Sequence, residues 1–160
     1  MAPLSASAQR VQESLARLGL ACTVLELPAS TRTAAEAAQA VGCDVSQIVK
    51  SLVFRGATSN RPIMVVASGA NRVGETRLAE LAGEPIARAD PEFVREHTGF
   101  AIGGVAPLGH PTQLDIFVDQ DLLQCDTIWA AAGTPRALFQ LTPADLVLIT
   151  AGQVVRITDA

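Results

Sequence analysis

Apolar and polar positions along the chain fall into alternating helical and strand periods. From Ser7 to Leu18, Val11, Leu15 and Leu18 share one helical face, and Gly19 supplies a stop. Cys22 to Leu27, CTVLEL, alternates as a strand and ends at Pro28. Thr33-Ala34-Ala35-Glu36 has the form of a capping box, which predicts a helix running to about Gly42. Asp44 is placed to cap one further turn through Gln47. Ile48 to Phe54 and Pro62 to Ser68 are β-rich runs separated by the polar tip Gly56 to Arg61, which predicts an antiparallel hairpin.

The second half alternates in the same way. Thr76 to Ala82 predicts a short helix stopped at Gly83. Asp90-Pro91-Glu92 starts another that reaches about His97 and stops at Gly99. Thr112 to Asp119 alternates as a strand. Asp126 to Gly133 and Arg136 to Leu141 form two more, joined across Gly133-Thr134-Pro135. Thr142-Pro143 opens a last helix with Gly152 as its stop, and Val154 to Ile157 closes the chain as a strand. Several adjacent strands are joined too tightly for parallel crossovers. The expected architecture is therefore one α/β domain over residues 1–160. It has a mixed, largely antiparallel central sheet surrounded by helices, and it is not a doubly wound sheet.

Composition narrows the class. Apolar residues make up 49% of the 160, enough for a core without disulfides or metal, and the scarcity of aromatics leaves that core to Ala, Val, Leu and Ile. Cys22, Cys43 and Cys125 are odd in number and spaced neither as a metal knuckle nor as a redox pair, so they read as small buried hydrophobes. MAPLSASAQR lacks the basic-then-apolar run of a secretory signal. No apolar stretch nears the roughly 20 residues that span a bilayer, so a cytoplasmic protein is expected. A net charge of −4 disfavours a long grip on DNA or RNA through phosphates, but leaves room for contact with a few nucleotides.

Against that background one residue stands out. Lys50 is the sole lysine beside eleven arginines, and it lies in an apolar strand on the same face as Ile48 and Leu52. Burying it unpaired is costly, so it either snorkels to water or points into a pocket that receives an anion. The loop Ile102 to His110, IGGVAPLGH, is the second candidate. Its paired glycines permit close backbone approach and could present N–H groups to an oxyanion, or form an ordinary turn. There is no nucleophile elbow. His97 reads as a dipole partner at a helix end, and Asp119 with Asp121 as a solvated turn. Chemistry here would rest on orientation, charge and backbone amides, with no metal and no cofactor.

These elements in this order, QIVKSLVF, VASGANRV, TGFAIGGVAPLGH and IWAAAG, resemble the YbaK/EbsC proteins, free-standing relatives of the editing insertion of bacterial prolyl-tRNA synthetase. The resemblance runs from about Thr33 to Ile157. It implies hydrolysis, in trans, of the ester of a mischarged tRNA. The partners it implies are the tRNA acceptor end and, as a second one, an aminoacyl-tRNA synthetase, with neither DNA nor a membrane. It assigns Lys50 to the phosphate or ribose of the terminal adenosine. Gly103 and Gly104, within the Gly103–Pro107 motif, are assigned to the aminoacyl carbonyl. Ser51, Ser68, Asn71, Gly109 and His110 become pocket candidates by adjacency, and Ala131 and Gly133 by their place on the strand that lines the pocket. Relatives that remove cysteine often carry Ser-Gly-Gly where this chain has Ala131-Ala132-Gly133. A small, mostly apolar amino acid is therefore expected ahead of cysteine. The alternative is a module that binds an aminoacyl-adenosine-like or nucleotide ligand, or a protein partner, without catalysis.

Overall fold

The computed structural model describes residues 3–159; Met1, Ala2 and Ala160, the ends of the expected domain, lie outside it. Eight strands form one mixed sheet: β1 (Val24–Glu26), β2 (Ile48–Gly56), β3 (Pro62–Ser68), β4 (Ile86–Arg88), β5 (Asp115–Asp119), β6 (Ile128–Ala131), β7 (Ala137–Leu141) and β8 (Gln153–Val155). Their order is β1-β7-β6-β2-β3-β5-β8, with β4 paired to β2 off this path. The β2–β3 hairpin is antiparallel as expected, as are β1–β7, β6–β7 and β2–β4. The pairs β2–β6, β3–β5 and β5–β8 are parallel, each reached through an intervening helix or long connection.

Five helices pack on the sheet: α1 (Ala6–Arg17), α2 (Ala34–Val41), α3 (Glu75–Ala82), α4 (Pro91–Thr98) and α5 (Pro143–Thr150). Local chemistry sets their ends. Thr33 and Glu36 form the reciprocal capping box of α2, and Asp90 accepts from Phe93 N–H at the start of α4. Gly42, Gly83 and Gly99 end α2, α3 and α4 in the left-handed conformation. α5 differs from expectation: Ala151, not Gly152, takes the left-handed turn at φ 50°. Gly152 is instead pressed against β5, where a Cβ would lie 2.9 Å from Val118.

The main core lies between one face of the sheet and α1, α4 and α5, around Phe100, Phe139, Met64 and Leu146. Smaller clusters lie under α3 (Ile63, Leu78, Phe117) and under α2 (Ala37, Ile48, Leu138). Two further readings are corrected. Asp119 is 1% exposed, not part of a solvated turn. Its Oδ2 accepts from Ser68 N–H at 3.0 Å and Asn71 Nδ2 at 2.9 Å, and its Oδ1 accepts from Asp121 N–H, opening a 3-10 turn over Gln120–Gln124. The three cysteines are free and half-buried rather than buried.

Candidate active site

On the side of β2 away from β3, β6 pairs only with Ile48 and Val49, and β4 begins only at Phe54. The sheet is thus open beside Lys50 to Val53. A cleft of about 670 Å³ occupies the gap. Lys50 and Ser51, adjacent in a strand and so on opposite faces, both line it, as a break in the sheet allows. α2 and its N-terminal approach, Thr31 to Ala37, form one wall. The loop after α4, at Ile102, Gly103 and Val105, forms another, and Ala131 and Leu138 close the far side.

Lys50 is half-buried and its ammonium has no ion pair or hydrogen bond among the described residues. Arg32 and Arg88, both exposed, line the cleft with it, and their side chains likewise have no ion pair or hydrogen bond among the described residues. Glu75 is the one carboxylate in the lining. Three cations without internal partners among the described residues thus line one hollow with a single carboxylate. The Ser51 hydroxyl is buried with no partner, a costly arrangement unless a ligand completes it.

The two loop glycines do different work. Gly103 has φ +97°, which only glycine adopts readily, and a Cβ there would lie 3.0 Å from Arg32 Nε. Its N–H has no acceptor among the described residues. Gly104 N–H, by contrast, already donates to the Ala101 carbonyl at 3.0 Å. A Cβ on Gly104 would lie 2.8 Å from the Thr134 backbone, so this glycine seats the loop against the β6–β7 turn.

The remaining candidates divide. Ala131 lines the cleft. Gly133 does not; at φ +96° it packs where a Cβ would meet the Ser7 carbonyl at 2.8 Å. Ser68 and Asn71 stand outside the lining: Ser68 Oγ donates to Ser46 C=O and Asn71 to Asp119 and Asp121, which ties the end of β3 to β5. Pro107, Gly109 and His110 line a second hollow, of about 390 Å³, against α1 and α5. His110 Nε2–H donates to Ala106 C=O at 2.7 Å. Burial pushes the His110 pKa down, with Arg10 adding to the effect and the Ala106 bond opposing it.

Residues 28–149 match the family described as the aminoacyl-tRNA editing domain. The chain belongs to that family. It is 32% identical over 123 residues to the uncharacterized protein YwhH of Bacillus subtilis (strain 168), which covers 77% of this chain and 78% of that protein. It is 25% identical over 127 residues to EbsC of Enterococcus faecalis, a proposed Cys-tRNA(Pro)/Cys-tRNA(Cys) deacylase, covering 79% of this chain and 77% of the relative. A solved structure of a proposed trans-editing enzyme for prolyl tRNA synthetase superposes with a TM-score of 0.93 at 52% identity, over 99% of this chain and 100% of the other. The editing fold and the YbaK/EbsC resemblance are thereby established for this chain.

Within this editing domain, Arg32, Arg88 and Glu75 are cleft residues that sequence reasoning missed. Arg32 carried a faint signal, since it immediately precedes the Thr33 cap and so had to sit at a helix entrance. Arg88 lies in β4, a strand too short to show a period. Among the described residues no three metal-capable side chains cluster. The cysteines offer no ready thiolate: burial first, then nearby carboxylates, raises the pKa of each.

Proposed function

We propose that this chain is a trans-acting editing deacylase in which the cleft beside β2 receives the aminoacylated end of tRNA. It is a hydrolase of aminoacyl-tRNA esters. One observation supports placing the reaction in this cleft: the sole lysine and Gly103, whose N–H has no acceptor among the described residues, line the same hollow. An aminoacyl ester is already activated, so water suffices as nucleophile if it is well oriented. Water oxygen bonds to the carbonyl carbon while Gly103 N–H stabilises the developing oxyanion. The ester C–O bond then breaks, and the proton released by water passes to the departing ribose oxygen. Lys50 holds the terminal phosphate or ribose, and Arg32 and Arg88 screen the phosphates that precede it. These are electrostatic roles for which an ammonium and guanidinium groups are suited.

The amino acid is proposed to be small and mostly apolar. Ala131 offers a methyl wall, and a thiol or hydroxyl gains no partner from it. An editing site of this kind serves a synthetase that cannot reject a smaller side chain, because a missing methylene is worth only ~1–3 kcal/mol. tRNA(Pro) is the proposed tRNA type, a prolyl-tRNA synthetase the proposed partner, and the cytoplasm the proposed compartment; among the described residues no helix is long and apolar enough to cross a membrane. Competition among Ala-, Cys- and Ser-charged tRNA(Pro), compared as kcat/KM, tests the assignment. Alanine should be released fastest. A clear preference for the cysteinyl or seryl ester would mean that the partnerless Ser51 hydroxyl, not Ala131, governs the pocket.

A further inference from the structure

The cleft has a main-chain edge as well as side chains. In an antiparallel pair, successive residues turn N–H and C=O alternately toward the partner strand and away from it. Both ends of the β2–β3 ladder fix that phase. Gly69 N–H donates to Ile48 C=O at 2.7 Å, and Gly56 N–H donates to Arg61 C=O at 3.0 Å. Even-numbered residues of β2 therefore bond β3, and odd-numbered ones face the opposite side. Val49 meets β6 there and Arg55 meets β4; Ala57, in the same phase, donates to Pro85 C=O at 2.8 Å.

Ser51 and Val53 fall between these two partners. The β6 register stops at Val49–Ala130, short of the bond that Ser51 N–H would make. The β4 register stops at Phe54–Arg88, short of the bond that Val53 N–H would make. Ser51 C=O and Val53 N–H thus point side by side into the cleft as an acceptor next to a donor. The Ser51 hydroxyl, also without a partner, lies at the same residue.

We propose that this open stretch of β2 reads the base of the terminal adenosine. Ser51 C=O accepts from the adenine 6-amino group and Val53 N–H donates to ring N1. The inference rests on the deacylase reading and adds the base contact to it. Adenine presents an amino donor beside a ring acceptor, the complement of this edge, whereas a 6-oxo purine presents the reverse order. The flat ring would lie between apolar walls that line the same hollow, Leu52 and Phe54 toward one face, Val94 and Val105 toward the other. The terminal adenosine is the part of the substrate that does not change with the amino acid. Main-chain groups can recognise it whatever side chain the ester carries. A cleft of about 670 Å³ suits a ligand of that size.

The test uses hydrolysis-resistant probes in which 3′-alanylamido-3′-deoxyadenosine is compared with its purine-riboside, inosine and 7-deazaadenosine counterparts, as competitors of Ala-tRNA(Pro) deacylation. Loss of the 6-amino group should weaken inhibition about tenfold, as expected for one hydrogen bond to a desolvated partner. Inosine should be at least as weak, and 7-deazaadenosine should match adenosine, since N7 is not read. The Ser51→Ala variant should show the same ratios, because its main chain is unchanged. Purine-riboside and inosine probes within about twofold of adenosine, or a 7-deaza probe as weak as inosine, would overturn the assignment. Those results, with Ala-tRNA(Pro) still hydrolysed, remove the base contact alone; absence of deacylation of every mischarged tRNA removes the underlying reading.

Discussion

Gly103 and Gly104 are neighbours in a motif, yet the structure gives them separate tasks, and their substitutions should separate too. A methyl on Gly104 meets the rigid Thr134 backbone at 2.8 Å, so Gly104→Ala should lose about 1–3 kcal/mol of stability in urea unfolding, the usual cost of overpacking. A methyl on Gly103 meets the flexible Arg32 side chain beside the proposed oxyanion, so Gly103→Ala should cost deacylation more than Gly104→Ala does at matched folded fraction. Equal loss of turnover in the two, with no loss of stability in Gly104→Ala, would undo the division. His110 gives a pH prediction. Burial lowers its folded pKa below the unfolded value, so its neutral form is the one that folding favours. That contribution is full above the ordinary histidine range and is lost as pH falls through the folded pKa. The melting temperature should therefore drop on going from neutral to mildly acidic pH, and His110→Gln should flatten that drop. The contrast between these residues also shows what could be read in advance. Lys50 was legible because a lone lysine on an apolar strand face is an energetic anomaly in any fold. Which glycine kept a free N–H was not, since that depends on the turn closed by Ala101.

Among the elements, α2 connects sequence to site most directly. Its capping box was legible, it forms as expected, and it fixes the wall that faces Lys50. Thr33→Ala should cost about 1 kcal/mol in chemical unfolding, and Thr33→Ser should restore it. Unchanged stability in Thr33→Ala would mean that packing of Ala37 and Ala38 alone holds the helix. Most strands and helices were visible in the periodicity because each carries an apolar face long enough to count. β4 has three residues and a half-buried, mixed surface, so it has no period to detect. The 3-10 turn over Gln120–Gln124 follows from a buried Asp119 that looked like one of two solvated acids, and only the Asn71 and Ser68 donors across the fold distinguish it. The opening in the sheet was invisible for a similar reason: β2 reads as one continuous strand, and its gap arises from where β6 ends and β4 begins.

At the scale of the molecule, an acidic protein has to hold the end of a polyanion. The net charge of −4 does not prevent this if the contact is confined to the three cations that line the cleft, Arg32, Lys50 and Arg88. A plot of log kcat/KM against log salt should then have a slope near −2, about 0.7 for each of three single-strand phosphate contacts. A slope several times steeper would require a basic surface outside the cleft. The central question for the molecule is whether this cleft hydrolyses the ester. The direct measurement is the initial rate at which Ala-tRNA(Pro) is deacylated by the native protein and by Lys50→Ala, with circular dichroism confirming that the variant is folded. The native protein should release alanine and the folded variant should lose most of that activity. A native protein that leaves every mischarged tRNA intact, or a Lys50→Ala protein that turns over at nearly the native rate, would contradict it.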